Sequence, residues 1–436
     1  MSAEKLPEGW VECELSALGN IVTGKTPSTK EPSNFGGNIP FIKPGDLDLG
    51  GYIMNTADTL TEKGLSLVPT LPANSVVVTC IGNLGKVGIT AKKSASNQQI
   101  NALIPSEKLN VKFVYYQILT LKPWLESQSA ATTIAIVNKS KFSQAPFKFL
   151  PLAEQKIIAE KLDTLLAQVE STKARLEQIP QILKRFRQAV LHVAVSGKLT
   201  EKWRLENATL ENSYEWKIQS LSDLGVLARG KSKHRPRNDP RLFGDKYPFI
   251  QTGEVANSSG RIKGANKFYS EFGLSQSKLF PKDTLCITIA ANIADTAILE
   301  IEACFPDSVV GFISDRNKSH VSFVKYLIDV NKDNLEAFAP ATAQKNINLK
   351  VLNELKLPIP DIKEQHEIVR RVEQLFAYAD TIEKQVNNAL ARVNNLTQSI
   401  LAKAFRGELT VQWRAENPDL ISGENSAAAL LEKIKA

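Results

Sequence analysis

Apolar and small residues recur at alternating steps of four and three in a long stretch near the end of the chain. They are Ile368, Val372, Leu375, Ala379, Ile382, Val386, Ala389, Val393, Leu396 and Ile400. This spacing keeps one apolar stripe along a helix and is typical of the a/d seam of a coiled coil. It predicts a helix of roughly 40 residues, about 60 Å long at 1.5 Å per residue.

The same seam occurs 210 residues earlier in the chain, with one polar interruption. Its positions are Ile158, Leu162, Leu165, Val169, Thr172, Leu176, Ile179, Leu183, Phe186 and Val190. Pro151 and Pro360 precede the two helices, and Gly197 and Gly407 follow them, as expected for helix ends. Pro180 lies inside the first helix and is expected to kink it. Two seams in one chain favour antiparallel pairing within the molecule over pairing with a second chain.

The 210-residue repeat extends beyond the seams. Glu154-Gln155 recurs as Glu364-Gln365, Gly197-Lys198-Leu199-Thr200 recurs as Gly407-Glu408-Leu409-Thr410, and Trp203-Arg204 recurs as Trp413-Arg414. The segments before the helices align more weakly, through Trp10 with Trp216, Pro40-Phe41-Ile42 with Pro248-Phe249-Ile250, and Gly64-Leu65-Ser66 with Gly273-Leu274-Ser275. The chain therefore contains two copies of one arrangement, each a mixed domain followed by a long helix.

The mixed segments contain short runs of β-branched and apolar residues between turn residues. Ser75–Thr79 and Thr284–Thr288 predict buried strands, and helices are predicted at 110–126 and 320–337. The predicted fold class is α+β. Two similar α/β domains are joined by two long helices, which form an antiparallel intramolecular coiled coil with pseudo-two-fold symmetry.

Composition and charge limit the classes of function. The net charge of +8 and the pI of about 9.1 are compatible with a polyanionic partner such as DNA. The four cysteines form no Cys-x-x-Cys pair, so a zinc site is not expected. The N-terminus resembles no signal peptide, and no apolar run reaches the ~18 residues of a membrane span. The composition predicts a cytoplasmic protein.

Two segments match the phosphate-loop pattern, Gly19–Thr26 and Gly225–Ser232. A phosphate loop needs a helix directly after it, because the helix N-terminus binds the phosphates. Pro27 follows the first match and Pro236 lies shortly after the second, so neither readily opens a helix. Nucleotide hydrolysis is therefore disfavoured. A turn that presents an exposed lysine to a DNA phosphate is the better interpretation.

Several polar side chains are candidates for DNA contact. The segment Lys231–Lys246 is strongly basic, Lys43 and Gln251 follow the two Pro-Phe-Ile strands, and residues 97–99 offer amides of the kind that pair with adenine. A solvated loop or strand-end caps would account for the same residues. The candidates are Lys25, Thr26, Lys43, Asn83, Lys86, Asn97, Gln98, Gln99, Lys231, Lys233, His234, Arg235, Arg237, Gln251, Asn292, Gln344, Lys345 and Asn346.

Motifs for catalysis are not apparent in the sequence. There is no Asn-Pro-Pro-Tyr or Asp-Pro-Pro-Tyr segment to hold an extruded base, no glycine-rich turn for a methyl donor, and no nuclease-type carboxylate pair with a lysine. No catalytic, cofactor-binding or metal-binding residue is predicted. The sequence indicates a chain that binds and positions other molecules rather than one that catalyses a reaction.

The order of mixed domain, long helix, mixed domain and long helix resembles the specificity subunit of type I restriction–modification systems. Pro151–Asp163 resembles the central conserved region of that family and Glu364–Asn417 its distal one. Both resemble the enteric type IA group most. The resemblance implies target recognition domains at 1–150 and 208–358, a central helical region at 151–207, and a distal helical region with a tail at 359–436.

The resemblance also implies function and partners. Each recognition domain would read one half of a bipartite, asymmetric target in double-stranded DNA, and the helices would fix the gap between the halves. Two modification subunits would methylate adenine with S-adenosylmethionine, and restriction subunits would use ATP and Mg²⁺, so this chain itself would hold no cofactor. A coiled-coil scaffold with two protein-binding domains is the alternative, since it explains the seams without DNA.

Overall fold

The computed structural model describes residues 6–129, 134–208, 214–290, 293–337 and 347–436. The chain divides into two compact units. The first unit comprises Met1–Glu177 and Asn388–Ala436, and the second unit comprises Gln178–Asn387. Each unit thus combines a mixed α/β segment with portions of both long helices.

Ten strands and four short helices form the α/β part of the first unit, among the residues described. The strands are β1 Val11–Glu14, β2 Gly19–Thr23, β3 Phe35–Ile42, β4 Tyr52–Ile53, β5 Asp58–Leu60, β6 Val76–Thr79, β7 Val87–Thr90, β8 Ala95–Ser96, β9 Ile100–Pro105 and β10 Pro146–Phe149. The helices are α1 Glu62–Leu65, α2 Val111–Leu119, α3 Lys122–Gln128 and α4 Lys139–Ser143. Helix α5, Leu152–Val195, and the short α6, Glu201–Asn207, follow.

Among the residues described, the second unit repeats this order with one additional strand and two additional short helices. Its strands are β11 Lys217–Ser220, β12 Gly225–Arg229, β13 Phe243–Phe249, β14 Arg261–Ile262, β15 Lys267–Tyr269, β16 Leu279–Phe280, β17 Leu285–Thr288, β18 Thr296–Leu299, β19 Ala303–Cys304, β20 Val309–Ser314 and β21 Lys356–Ile359. Its short helices are α7 Leu221–Leu224, α8 Thr252–Ala256, α9 Glu271–Ser275, α10 Val321–Val330, α11 Lys332–Ala337 and α12 Leu349–Glu354. Helices α13 Ile362–Phe405, α14 Val411–Glu416 and α15 Ala427–Lys435 complete the chain.

The sheets of the two units have matching topologies. A five-stranded sheet has the order β2-β9-β6-β7-β4 in the first unit and β12-β20-β17-β18-β14 in the second. A smaller sheet has the order β5-β3-β8 in the first unit and β15-β13-β19-β16 in the second. The predicted buried strands are confirmed, because every residue of β6 and β17 is buried. Their apolar side chains belong to the cores of the two units.

The two predicted domain helices are each divided in two. Residues 110–126 form α2 and the start of α3, and residues 320–337 form α10 and α11. Pro123 lies in the first turn of α3, where proline fits a helix start but would disrupt a continuing helix. Asn331 separates α10 from α11 and bonds back to the Leu327 carbonyl through its side chain. The predicted helical segments are therefore present, and each contains a break for this local reason.

Both predicted long helices are present, with 44 residues each. The first helix continues past Pro180. Gly197 and Gly407 both lie at φ +77° beyond the helix ends, in the left-handed region that glycine adopts without strain. The prediction that these glycines terminate the helices is confirmed.

The two long helices pair antiparallel within each unit. In the first unit Ile158, near the start of α5, shares a core with Leu401 and Phe405, near the end of α13. In the second unit Val190, near the end of α5, shares a core with Ile368, near the start of α13. The predicted intramolecular pairing is therefore confirmed, and apolar burial on the seam stabilises it.

A buried glutamate near the start of each long helix ties three chain segments together. In the first unit Glu154 accepts hydrogen bonds from Trp10 Nε1 at 2.8 Å, Thr410 Oγ1 at 2.7 Å and Arg414 Nη1 at 2.6 Å. Arg414 also donates to the Gly407 carbonyl at 2.9 Å. We call this set of contacts the Glu154 clasp. It explains why these residues take part in the sequence repeat.

The second unit contains the equivalent clasp around Glu364. Its carboxylate accepts from Trp216 Nε1 at 3.1 Å, Thr200 Oγ1 at 2.6 Å and Arg204 Nη1 at 2.5 Å. Arg204 donates to the Gly197 carbonyl at 2.8 Å. Both glutamates are completely buried, so these donors take the place of water around each carboxylate. The two clasps give each α/β segment the same attachment to the helices.

Candidate nucleic-acid interface

Three strands of the first unit end close together. After β2, the Lys25 amide donates to the Ser96 carbonyl at 2.9 Å, and after β8 the Asn97 amide donates to the Ile42 carbonyl at 3.0 Å. These backbone bonds hold the turns that follow β2, β3 and β8 against one another. We call the side chains on these turns the first-unit cluster. Its members are Lys25, Thr26, Lys43, Asn97, Gln98 and Gln99.

Side chains in the first-unit cluster differ in their availability. Lys25 and Gln98 are exposed, and Thr26 Oγ1 donates to Gln98 Oε1 at 2.6 Å. Asn97 is only 7% exposed, and its side chain bonds both the amide and the side chain of Gln99. Asn97 therefore shapes the turn, whereas Lys25, Thr26 and Gln98 face solvent with free donors or acceptors.

The second unit brings the equivalent turns together. The Lys231 amide donates to the Phe305 carbonyl at 3.1 Å, and the Ile250 amide donates to the Cys304 carbonyl at 2.8 Å. Gln251 follows at once and caps α8. Lys231 and Gln251 are both exposed. We call the side chains of residues 231–237 together with Gln251 the second-unit cluster.

The segments that match the phosphate-loop pattern do not have the strand–loop–helix structure of a phosphate loop. The first match begins with strand β2 and the second with strand β12, and neither continues into an α-helix. A Cβ on Gly24 would lie 2.1 Å from the Asn97 carbonyl oxygen, and one on Gly230 would lie 2.2 Å from that of Pro306. Glycine is required here by the close approach of a neighbouring turn.

The basic segment of the second unit is held by local contacts. The Lys233 amide donates to the Gln276 carbonyl at 3.1 Å, and the Arg235 guanidinium donates to the Ser232 and His234 carbonyls. Arg237 Nη2 contacts both carboxylate oxygens of Asp307 at 3.0 Å. Lys233, Arg235 and Arg237 remain exposed. The segment thus presents cations on a defined backbone.

One carboxylate organises the middle of that segment. Asp239 accepts from Arg241, and it contacts His234 Nε2 at 2.7 Å. The Arg241 side chain and amide, together with His234, hold the pKa of Asp239 well below its usual range. His234 therefore faces a carboxylate that stays ionised at neutral pH, and its ring serves this local contact.

The remaining candidates lie elsewhere or outside the described residues. Asn83 and Lys86 lie in the turn between β6 and β7, where Asn83 is exposed and Lys86 pairs with Asp48. Asn292, Gln344, Lys345 and Asn346 fall outside the part of the chain that the structure describes. Their DNA contacts, like those of the other candidates, stay predictions.

The structure adds residues that the sequence argument missed. Asp58 lies 2.5 Å from Lys43 Nζ, Lys267 lies opposite Phe249 in the adjacent strand, and Asp307 pairs with Arg237. Asp58 and Lys267 sit in three-residue strands that carry no visible periodicity. The aligned Gly-Leu-Ser segments could have revealed them, since their offset of 209 relates Asp58 to Lys267.

These features define a duplicated α/β protein whose units carry different polar clusters at equivalent strand ends. The chain matches the type I restriction modification DNA specificity domain over residues 7–181 and 214–392. It belongs to this family, whose members are the non-catalytic DNA-recognition subunits of type I restriction–modification systems. They act in complexes with other subunits and DNA.

Relatives from enteric bacteria match nearly the whole chain. The EcoKI specificity subunit of Escherichia coli K12 is 40% identical, covering 100% of this chain and 97% of that protein. The EcoBI specificity subunit of Escherichia coli is 39% identical, covering 98% and 92%, and the StySPI subunit of Salmonella potsdam is 38% identical, covering 100% and 97%. The predicted resemblance to the enteric group is confirmed.

Solved structures share the fold. The HsdS subunit from Thermoanaerobacter tengcongensis superposes with a TM-score of 0.65 at 16% identity, covering 93% of this chain and 99% of that one. A chain from a type I R-M system, solved in work on complex assembly and conformational transition, superposes at 0.62 with 15% identity, covering 92% and 99%. The helices described in the structure include none with the length and hydropathy of a membrane span.

Proposed function

We propose that this chain recognises a bipartite, asymmetric DNA target, with one α/β segment reading each half. The recognition segments are 1–150 and 208–358, and the helical regions are 151–207 and 359–436. The observation that carries the proposal is that corresponding turns of the two units share a backbone arrangement but differ in their side chains. The bond from the Lys25 amide to the Ser96 carbonyl matches the bond from the Lys231 amide to the Phe305 carbonyl. The turns near these bonds present Lys25, Thr26 and Gln98 in one unit, but Lys231, Arg237 and Gln251 in the other.

Different side chains on a shared frame read different base sequences. Arginine and lysine bind guanine O6 and N7 in the major groove, and the amides of asparagine and glutamine pair with adenine. Exposed lysines and arginines also bind phosphates and set the register of a protein on the duplex. Two units with unlike clusters therefore require two unlike half-sites, and the target is non-palindromic.

The helices act as a ruler between the half-sites in this proposal. Motifs that read the major groove from one face of the duplex are spaced by about one turn, ~34–36 Å, or a multiple of it. Helices of 44 residues are long enough to hold such a spacing, at roughly 1.5 Å per residue. The clasps at Glu154 and Glu364 support the ruler, because they fasten each α/β segment to a helix start.

The catalytic steps belong to partner subunits in this proposal. Two modification subunits dock near the helices and use S-adenosylmethionine to methylate an adenine in each half-site, after the base leaves the stack. Restriction subunits use ATP and Mg²⁺. The complex is cytoplasmic. This division of labour leaves recognition and positioning to the present chain.

Sequencing of modified bases tests the proposal. DNA from cells that carry this chain with its modification partner is compared with DNA from cells that lack this chain. The expected result is one split motif with two different halves, a fixed unread gap and a methylated adenine in each half. A continuous or palindromic motif contradicts the proposal.

The salt dependence of duplex binding distinguishes DNA recognition from the alternative function, a scaffold with two protein-binding domains. Duplex binding that neutralises phosphates weakens steeply and linearly in a plot of log affinity against log salt concentration. The proposal predicts this behaviour for the full complex with its methylated motif. Methylation of DNA that is unaffected by deletion of this chain would favour the scaffold function instead.

A further inference from the structure

Two positions in the first unit have counterparts in the second unit with the same backbone placement but different side chains. In the smaller sheets, Phe41 lies opposite Asp58, and Phe249 lies opposite Lys267. Lys43 follows two residues after Phe41, and Gln251 follows two residues after Phe249. The pair Lys43 and Asp58 in the first unit therefore corresponds to the pair Gln251 and Lys267 in the second.

One carboxylate fixes the backbone of the first pair. Asp46 accepts from the Lys43 amide at 2.8 Å and from the Ala57 amide, next to Asp58, at 3.1 Å. The Asp58 carbonyl is held separately by Thr56 Oγ1 at 2.6 Å. None of these contacts uses the side chain of Lys43 or Asp58, so the backbone does not depend on which side chains stand there.

The second pair is fixed in the same way. Glu254 accepts from the Gln251 amide at 2.9 Å and from the Asn266 amide, next to Lys267, at 3.0 Å. The acid stands three residues after the first position in both units, and it bonds the residue before the second position in both. The two units thus share one backbone geometry, and the side chains at these positions differ between them.

The side chains of the first pair meet at the surface. Lys43 Nζ lies 2.5 Å from Asp58 Oδ2, and the two side chains are 44% and 45% exposed. An ion pair this exposed contributes little to the stability of the fold. Its chemical consequence is a hydrogen-bond donor beside an acceptor, both accessible from solvent.

The second pair offers a different pattern. Gln251 and Lys267 are both exposed, and neither position carries a carboxylate. Lys267 Nζ lies 5.9 Å from the centre of the Phe243 ring. Gln251, Lys267 and Arg237 line one cleft of about 430 Å³. This surface therefore presents cationic donors and an amide where the first unit presents an ion pair.

We propose that Lys43 with Asp58, and Gln251 with Lys267, are recognition pairs that determine base identity at equivalent positions of the two half-sites. A carboxylate accepts from the amino group of cytosine or adenine, a lysine donates to guanine, and a glutamine pairs with adenine. The first pair reads a base step with both an amino group and an acceptor, and the second reads purines, guanine through Lys267 and adenine through Gln251. This inference rests on the proposed function and adds its specificity determinants.

Exchange of one pair tests the inference. The double variant Lys43→Gln with Asp58→Lys gives the first unit the side chains of the second, within the full chain and its complex with the modification subunits. Modified-base sequencing should show a change at one or two base pairs of one half-site, with the other half and the gap unchanged. Methylation of the original motif should fall about tenfold or more, since a base contact contributes roughly 1–3 kcal/mol to discrimination.

A second variant and a control accompany the exchange. Asp58→Asn keeps the size of the side chain and should relax the preference at the same position. Lys93→Gln with Glu62→Lys alters another exposed ion pair of the first unit, at 3.0 Å, and should leave the motif unchanged.

The outcomes separate this inference from the proposed function. Unchanged half-site identity in both the exchange variant and Asp58→Asn, with a split motif in the wild type, overturns the recognition pairs alone. Equal losses at both half-sites, without a change of base, overturn them as well. A continuous wild-type motif overturns the proposed function, and the recognition pairs with it.

Discussion

Arg414 Nη1 donates to Glu154 Oε1 at 2.6 Å, across 260 positions of sequence. Glu154 is completely buried and the Arg414 side chain is 12% exposed. The contact joins the start of α5 to the segment after α13 within the first unit, while Trp10 brings the N-terminal segment to the same carboxylate. The ends of the chain and its middle therefore meet at one charged group.

Removal of one partner from this clasp should destabilise the first unit strongly. Arg414→Ala leaves the Glu154 charge buried and incompletely compensated, which costs about 3–5 kcal/mol of unfolding free energy. Chemical denaturation of the variant and the wild type measures the difference. Lys63→Ala, in an exposed pair with Glu31 at 3.7 Å, is the matched control and should cost about 0–1 kcal/mol. Similar losses in both variants would contradict the role assigned to the clasp.

Loss of a phosphate contact should weaken binding to all sequences alike. Lys231→Ala is expected to lower duplex affinity uniformly and to reduce the slope of log affinity against log salt by about 1. Titration of fluorescent duplexes at several salt concentrations, with the modification complex, measures both effects. Lys202→Ala, which removes an exposed lysine of α6, should leave the slope unchanged. A change of preferred sequence without a change of slope would assign Lys231 to base recognition instead.

Longer α5 and α13 helices should widen the gap between the two half-sites of the DNA target. Insertion of one heptad into both α5 and α13 keeps the seams in register and lengthens each helix by about 10 Å, or about three base pairs of duplex. Modified-base sequencing should find both half-sites unaltered and the gap longer. The variant with the insertion in α5 alone misaligns the seams and serves as the control, with loss of modification expected. Altered half-sites at an unaltered gap would refute the ruler.

Acidification should destabilise the second unit through His320. Burial, with the nearby charges of His366 and Arg261, lowers the pKa of His320, and Asp283 opposes this shift. The folded state therefore binds fewer protons than the unfolded state, so stability is lost as pH falls below about 6.5. The melting temperature should drop between pH 7.5 and 5.5.

His320→Asn isolates this contribution to the pH dependence. Asn110 occupies the equivalent position in the first unit, where it caps α2 as His320 caps α10, so asparagine preserves the cap. The variant should lose less melting temperature than the wild type over the same pH interval. An equal loss in both proteins would show that other groups cause the acid sensitivity.

The long helices were predictable because their information is local and periodic. Ile368 and Val372 repeat at the spacing of a helix face, and Gly407 ends the helix by a backbone conformation that glycine adopts readily. The matched seam 210 residues earlier also indicated antiparallel pairing. The division of the domain helices was missed, because Asn331 interrupts a segment whose apolar pattern continues.

The candidate interface was predictable only in part. Lys25 and Lys231 were found because a Gly-Lys motif is visible in the chain, and both proved exposed. Asn97 looked equally available in the sequence, but it is buried and bonded to Gln99. Burial depends on which strands pack around a turn, and no local pattern reports it.

The sequence by itself determined the duplication, the helical frame and the family, because these depend on residue spacing repeated along the chain. The tertiary structure decided which distant residues share a site. Asp58 meets Lys43 because two strands pair in one register, and Arg414 meets Glu154 because antiparallel helices return the chain to its beginning. Side-chain contacts of this kind follow from strand register and helix packing, which arise only when the whole unit has folded.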